Sequence, residues 1–164
     1  MKKTILFFLL VVNFYAFAQD EFYDKTFGLK NKLEQNELRI YVSKSYILFS
    51  GKAFVLKQNK KGKWKAKWYQ EMGNDNNIYV KNFRLKNGAE FWENIVNNKP
   101  KADTTSITYI DPDFYTIHWN INGIKKKYFY EEPLDSQNKN DEKMKTVYHF
   151  FEMIQQKFGF KFND

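Results

Sequence analysis

Residues 112–133 read PDFYTIHWNINGIKKKYFYEEP, and the Asn122-Gly123 pair near their centre decides the architecture. A two-residue type I′ turn needs positive φ at both central positions, and Asn-Gly tolerates it. With that turn as pivot, opposed residues keep a constant index sum. Ile121 faces Ile124, Trp119 faces Lys126, His118 faces Lys127, Ile117 faces Tyr128 and Tyr115 faces Tyr130. One face of the hairpin then carries Tyr115, Ile117, Trp119, Ile121, Ile124, Tyr128 and Tyr130, and calls for burial. The other carries Thr116, His118, Asn120, Lys125 and Lys127, and tolerates water. Pro112 and Pro133 fall at matched ends, where a residue without an N–H terminates the ladder.

Working outward, a second hairpin also sets its own register. In Lys60-Lys61-Gly62 the glycine suits the left-handed third position of a three-residue loop, which pairs Asn59 with Lys63. Phe54 and Leu56 then meet Trp68 and Ala66, Trp64 joins them, and Lys63, Lys65 and Lys67 project from the opposite face. A two-residue loop would set apolar residues against lysines, so turn chemistry and hydrophobic pattern agree on one register. Upstream, Leu38, Ile40 and Val42 alternate with Arg39, Tyr41 and Ser43, the period of a half-buried strand. Ser50-Gly51 is placed to bend or bulge the segment from Tyr46 to Lys57. Gly73 to Asn77 reads as a polar turn before a strand from Ile78 to Lys86. Asn87 and Glu90 have capping-box spacing for a short helix with the stripe Phe91, Trp92, Ile95 and Val96, ending before Pro100. Lys101 to Ser106 reads as a polar loop, and Thr108 to Ile110 leads into the central hairpin.

Beyond the polar loop from Asp135 to Asn140, Met144, Val147, Tyr148, Phe151, Ile154 and Phe158 recur at three- and four-residue steps. They predict a helix that Gly159 ends, with Glu142, Lys145, His149, Glu152 and Gln156 on its wet side. The apolar face of the central hairpin is its nearest partner. The expected fold is therefore α+β: a twisted antiparallel sheet of five or six strands with the C-terminal helix packed on one face. A meander barrel plugged by that helix is the alternative. Gln19 to Gln35 fits neither period.

Met1 to Ala18 has the layout of a secretory signal peptide, with Lys2 and Lys3, an apolar run from Ile5 to Val12, and Ala16-Phe17-Ala18 as the cleavage pattern. Export to the periplasm or beyond, with cleavage near Ala18 and a single domain over residues 19–164, is the expectation. The apolar run is shorter than the ~20 residues a spanning helix needs. The chain contains no cysteine, which removes thiol catalysis, thiolate metal sites and lipid anchoring on a thiol. Aromatic residues make up 20%, enough for rings to take the stabilising part that disulfides often play in exported proteins. Formal charge is +8, falling to +6 without Lys2 and Lys3, so the mature chain favours anionic partners.

Three constellations could carry chemistry. His118 and His149 are the only histidines, and no motif places a nucleophile beside either; His149 belongs to a wet helix face, and Lys127 opposite His118 would keep that ring neutral. At the proline-bounded hairpin end, Asp113 falls opposite Glu132 and Phe114 opposite Glu131, with Asp111 just beyond. Carboxylates so close need a compensating lysine or a cation such as Ca²⁺, or else one acquires a raised pKa suited to acid–base work. The third constellation is a basic sheet face of Lys63, Lys65, Lys67, His118, Lys125 and Lys127, interleaved with Tyr69 and Phe129. Such a face suits an anionic polysaccharide, an anionic lipid surface or a protein partner, with released nucleic acid a lesser candidate.

Leu38-Arg39-Ile40-Tyr41, Trp64-Lys65-Ala66 with Trp68-Tyr69, Phe91-Trp92 with Ile95, and Tyr128-Phe129-Tyr130 running to Pro133 form a pattern that resembles small secreted proteins of unknown function from the Bacteroidota. The resemblance implies an exported single domain and brings no activity or site with it. In sequences of this kind Asn precedes the last proline; Glu132 stands here. The leading expectation is a non-enzymatic exported domain that binds an anionic polymer or protein partner through the basic face, with no catalytic residue, metal or cofactor. One alternative is a small hydrolase-like or cation-binding site at Asp111, Asp113, Glu131 and Glu132; another is an inhibitor or immunity-type protein.

Overall fold

Asn122 and Gly123 adopt φ of 51° and 88°, and Gly62 adopts 74°, so both turns take the left-handed backbone that their residues permit. The computed structural model describes residues 21–44, 51–72, 77–100 and 112–163. Asn59 donates its amide to the Lys63 carbonyl at 2.8 Å, and Gly62 donates to the Asn59 carbonyl at 2.9 Å, the bonds of the expected three-residue loop. The described residues divide into two compact units, one ending at Lys32 and one beginning at Leu33. In the first, residues 21–26 are helical, and the Tyr23 and Phe27 rings stack with centroids 5.9 Å apart.

The second unit contains β1 (Glu37–Lys44), β2 (Lys52–Gln58), β3 (Trp64–Met72), β4 (Asn77–Phe83), α1 (Gly88–Asn97), β5 (Asp113–Ile121), β6 (Ile124–Glu131), a 3₁₀ turn (Ser136–Lys139) and α2 (Lys145–Phe158). The strands form one six-stranded antiparallel sheet in the order β4-β3-β2-β1-β5-β6, open at both ends rather than closed into a barrel. β1 joins the two hairpins: Leu38 lies opposite Leu56 on one side and Trp119 on the other, and Ile40 opposite Phe54 and Ile117. Those pairings put the apolar sides of both hairpins on one face of the sheet, here the core face. The outer face carries Arg39, Tyr41, Lys65, Lys67, His118, Lys125 and Lys127. Tyr46 to Ser50 and Lys101 to Asp111 lie outside the described residues.

α2 covers the core face. Phe158 meets Phe54 at 5.0 Å between ring centroids, Phe151 meets Tyr115 at 5.1 Å and Phe150 meets Trp119 at 6.3 Å. The stripe is rotated from the expected one, for Phe150 is fully buried while Tyr148 is half-buried. Val147, Phe150, Phe151, Ile154 and Phe158 keep the i, i+3, i+4, i+7 spacing of a helix buried on a broad face. Gly159 at φ 64° closes the helix with its amide on the Gln155 carbonyl at 2.8 Å. The chain then turns back to the sheet. Phe162 is fully buried among Phe54, Trp68, Tyr115 and Phe151. Its amide donates to Gln155 Oε1 at 2.8 Å, and its carbonyl accepts from the buried Lys52 Nζ at 3.0 Å.

α1 departs from the expected start. Asn87 sits at φ 56° and makes no side-chain cap bond, because a capping side chain needs an extended backbone at that position. Instead the Asn87 carbonyl accepts the Phe91 amide at 3.1 Å. The left-handed turn brings Gly88 directly onto Trp64: a Cβ placed at Gly88 would lie 2.4 Å from Trp64 Cβ. β4 ends at Phe83, three residues before Lys86.

Gly88→Ala is therefore expected to destabilise the fold by roughly 1–3 kcal/mol through overpacking, although alanine is by ~1 kcal/mol the better helix former. Urea unfolding measures the sign, and a more stable Gly88→Ala would refute the close approach. Phe162→Ala is expected to cost ~3–5 kcal/mol, the loss typical of a fully buried ring. A change below ~1 kcal/mol in the same assay would show that the tail does not belong to the core.

Candidate functional site

The pleat puts every candidate lysine of the strands on the outer face, and the strand order decides which of them meet. Lys65 and Lys67 lie on β3; Lys125 and Lys127 lie on β6, with His118 opposite Lys127 on one side and Arg39 on the other. β2, β1 and β5 stand between the two lysine groups, a separation of roughly 19 Å at the usual strand spacing. The intervening surface is covered rather than wet, for Arg39 and Tyr41 are each 2% exposed and Glu37 is 1% exposed. Arg39 Nε donates to Glu37 Oε1 at 2.9 Å, and Glu37 Oε2 accepts the Glu34 amide at 2.6 Å. Burial works against charge on Arg39, but the Glu37 bond and the nearby Tyr41 outweigh it and hold its pKa above the ordinary value. The Tyr41 ring meets His118 edge-on at 5.4 Å. The six candidate residues thus share a face in two groups, not one continuous patch.

Lys63, Lys65 and Lys67 converge with cations that the turn chemistry did not point to. Ala66–Phe83 is the last pair of the β3–β4 ladder. Continued in the same register, the ladder would set Lys65 against Arg84 and Lys63 against Lys86. Like charges directly across a pair destabilise it. Trp64, between them, pairs with Gln58 of β2 on its other side and here packs on Gly88 and on the Trp92 ring at 4.8 Å instead of facing a partner beyond β4. The two segments separate here, and the opening is a cleft of about 970 Å³ lined by Lys63, Lys65, Lys67, Arg84 and Lys86 together with Trp64, Asn82, Phe83 and Leu85. Lys63, Lys65, Arg84 and Lys86 are exposed, and no Asp or Glu is among the lining residues.

The acidic end of the β5–β6 hairpin is arranged differently. Glu131 lies opposite Phe114, and Glu132 donates its amide to the Asp113 carbonyl at 2.9 Å. Glu132 Oε1 in turn accepts the Asp113 amide at 2.6 Å, so this carboxylate is engaged in closing the strand pair. Its backbone sits at φ 42°, a conformation that Asn or Gly adopts more readily. Burial raises the Glu132 carboxyl pKa, the bond from the Asp113 amide lowers it, and the charges of Asp113 and Asp135 raise it further against Lys44. Asp111 lies outside the described residues. Among the described residues no group of three His, Cys, Asp or Glu side chains could hold a metal ion. His149 is exposed on α2 and lies 3.2 Å from Glu152, a pair one helical turn apart. Neither a family model nor a curated protein matches the sequence.

With its folded pKa above the ordinary carboxyl value of 4.5, Glu132 makes the folded state bind more protons than the unfolded state across that interval. Its stabilising contribution is full below the ordinary value and falls as pH rises through the folded one. Glu132→Gln should accordingly gain stability relative to the parent between pH 4 and pH 7. Urea midpoints for both proteins across that range test the sign, and a gap that moves the other way refutes it.

Proposed function

We propose that the protein is a non-enzymatic binding domain that holds an extended polyanion in the cleft between β3 and the segment following β4. The observation that carries this reading is the convergence of five cations, at the point where the β3–β4 ladder stops, on an opening whose lining holds no carboxylate. Cations in such an arrangement repel one another, and a chain of negative charges relieves all of them at once. Trp64 and Phe83 give the cleft apolar walls against which a ligand can lie. Exposed charge pairs are individually weak and strongly screened, so affinity arises from several contacts acting together. The polyanion reading requires no cofactor. With an N-terminal export signal, the encounter takes place in the periplasm or outside the cell.

Immobilised heparin is a suitable polyanion for a charge-matched comparison. Lys65→Glu/Arg84→Glu is expected to lose most salt-sensitive retention, while Lys125→Glu/Lys127→Glu, with the same change in net charge, keeps most of it. Equal losses from the two variants would reduce the effect to net charge, and unchanged retention of the first would discard the cleft.

A further inference from the structure

Among the described residues no strand pairs with the outer side of β4, and the hydrogen-bonding groups on that side follow from the ladder. Glu71 donates its amide to the Gly51 carbonyl, and Asn59 donates to the Lys63 carbonyl, so the odd-numbered residues of β3 turn their backbone groups toward β2. The even-numbered ones face β4, where Trp68 pairs with Lys81 and Gln70 with Tyr79. Alternation along an antiparallel ladder then leaves Ile78, Val80 and Asn82 with N–H and C=O directed away from the sheet.

The two sheet edges are guarded unequally. β6 carries Lys125, Lys126 and Lys127, the common protection of an edge against strand addition. β4 presents Tyr79 at 49% and Val80 at 40% exposure, in a register without a bulge and with Lys81 as its one charge. At its Asn82 end this edge runs into the basic cleft.

Resting on the polyanion reading, we infer that the polyanion is an extended acidic polypeptide, which adds to β4 as an edge strand and carries carboxylates to the cleft cations. Backbone bonds to Ile78, Val80 and Asn82 supply affinity, and alternate side chains select the partner. Side chains on one side of the added strand fall beside Val80 and Asn82, on the face that holds Lys65 and Lys67. A polysaccharide or nucleic acid has no alternating row of amide donors and acceptors to match this edge. A second copy of the chain matches the row but not the charge, since residues 77–88 contain Lys81, Arg84 and Lys86 and no acid.

The test titrates a fluorescein-labelled peptide of alternating Glu and Thr, and separately a labelled heparin fragment, into the purified protein, with anisotropy as the readout. The Val80 amide points away from β3, so Val80→Pro removes an edge donor and leaves the β3–β4 ladder intact. Val80→Pro is expected to bind the peptide about tenfold more weakly and heparin unchanged, with Val80→Thr equal to the parent for both. In the parent protein, saturating peptide should slow amide exchange at Val80 and Asn82, a readout that needs no variant. Heparin binding without peptide protection of those amides overturns strand addition and spares the polyanion reading. Binding of neither ligand overturns both. A dimer in sedimentation that Val80→Pro abolishes, with no peptide-dependent protection, assigns the edge to a second copy and also overturns the proposal.

Discussion

The pairing of β1 on both of its sides is the constraint from which the rest of the structure follows. Each hairpin settles its own register through its turn, but a turn says nothing about how two hairpins share a sheet. Leu38 opposite both Leu56 and Trp119 supplies that link. Because side chains alternate with a period of two, a slip of one residue on either side of β1 would send one hairpin's rings outward. With the link in place, a single apolar surface from β3 to β6 awaits α2 and the returning tail, and all the strand-borne lysines singled out fall on the opposite surface.

That outer surface shows how burial and charge divide the labour. At its centre Glu37 and Arg39 are buried and bonded to each other, an arrangement tolerable because each charge has a partner at hydrogen-bond distance. Toward the β3 margin the opposite solution appears. Lys65 and Arg84, which a longer ladder would oppose, are separated by ending the ladder at Ala66 and Phe83. The cleft is thus what remains where strand pairing would cost more than it returns. Gly88 fixes its far wall by letting α1 settle against Trp64.

Much of this was legible in the residues and some was not. Both hairpin registers could be read because Asn122-Gly123 fixes a two-residue turn and, at Lys60-Lys61-Gly62, turn chemistry and hydrophobic pattern agree on one register. The β3–β4 register could not, since Gly73-Asn74-Asp75-Asn76 names no single turn type. Without it, Arg84 and Lys86 could not be set against Lys65 and Lys63, although the index sum of the Ala66–Phe83 pair would have done so. Asn87 misled because capping-box spacing is satisfied in composition while the chain must turn left-handed to leave the sheet. The burial of Arg39 was not legible, because alternation alone cannot tell a wet face from a covered one. Phe162 was missed because helical periodicity stops at Gly159, and the signal for its burial is tertiary.

The position of β1 has a consequence for the order in which the molecule can be assembled. Among the described residues the earliest strand is also an interior one, and its second neighbour, β5, begins 69 residues after β1 ends. A meander of β1 to β4 can close through short connections, yet one flank of β1 stays open until Asp113 to Ile121 have been synthesised. Closing that long loop carries an entropic cost that grows slowly with its length. Throughout that interval Leu38, Ile40 and Val42 belong to a half-finished sheet whose exposed border invites the wrong neighbour.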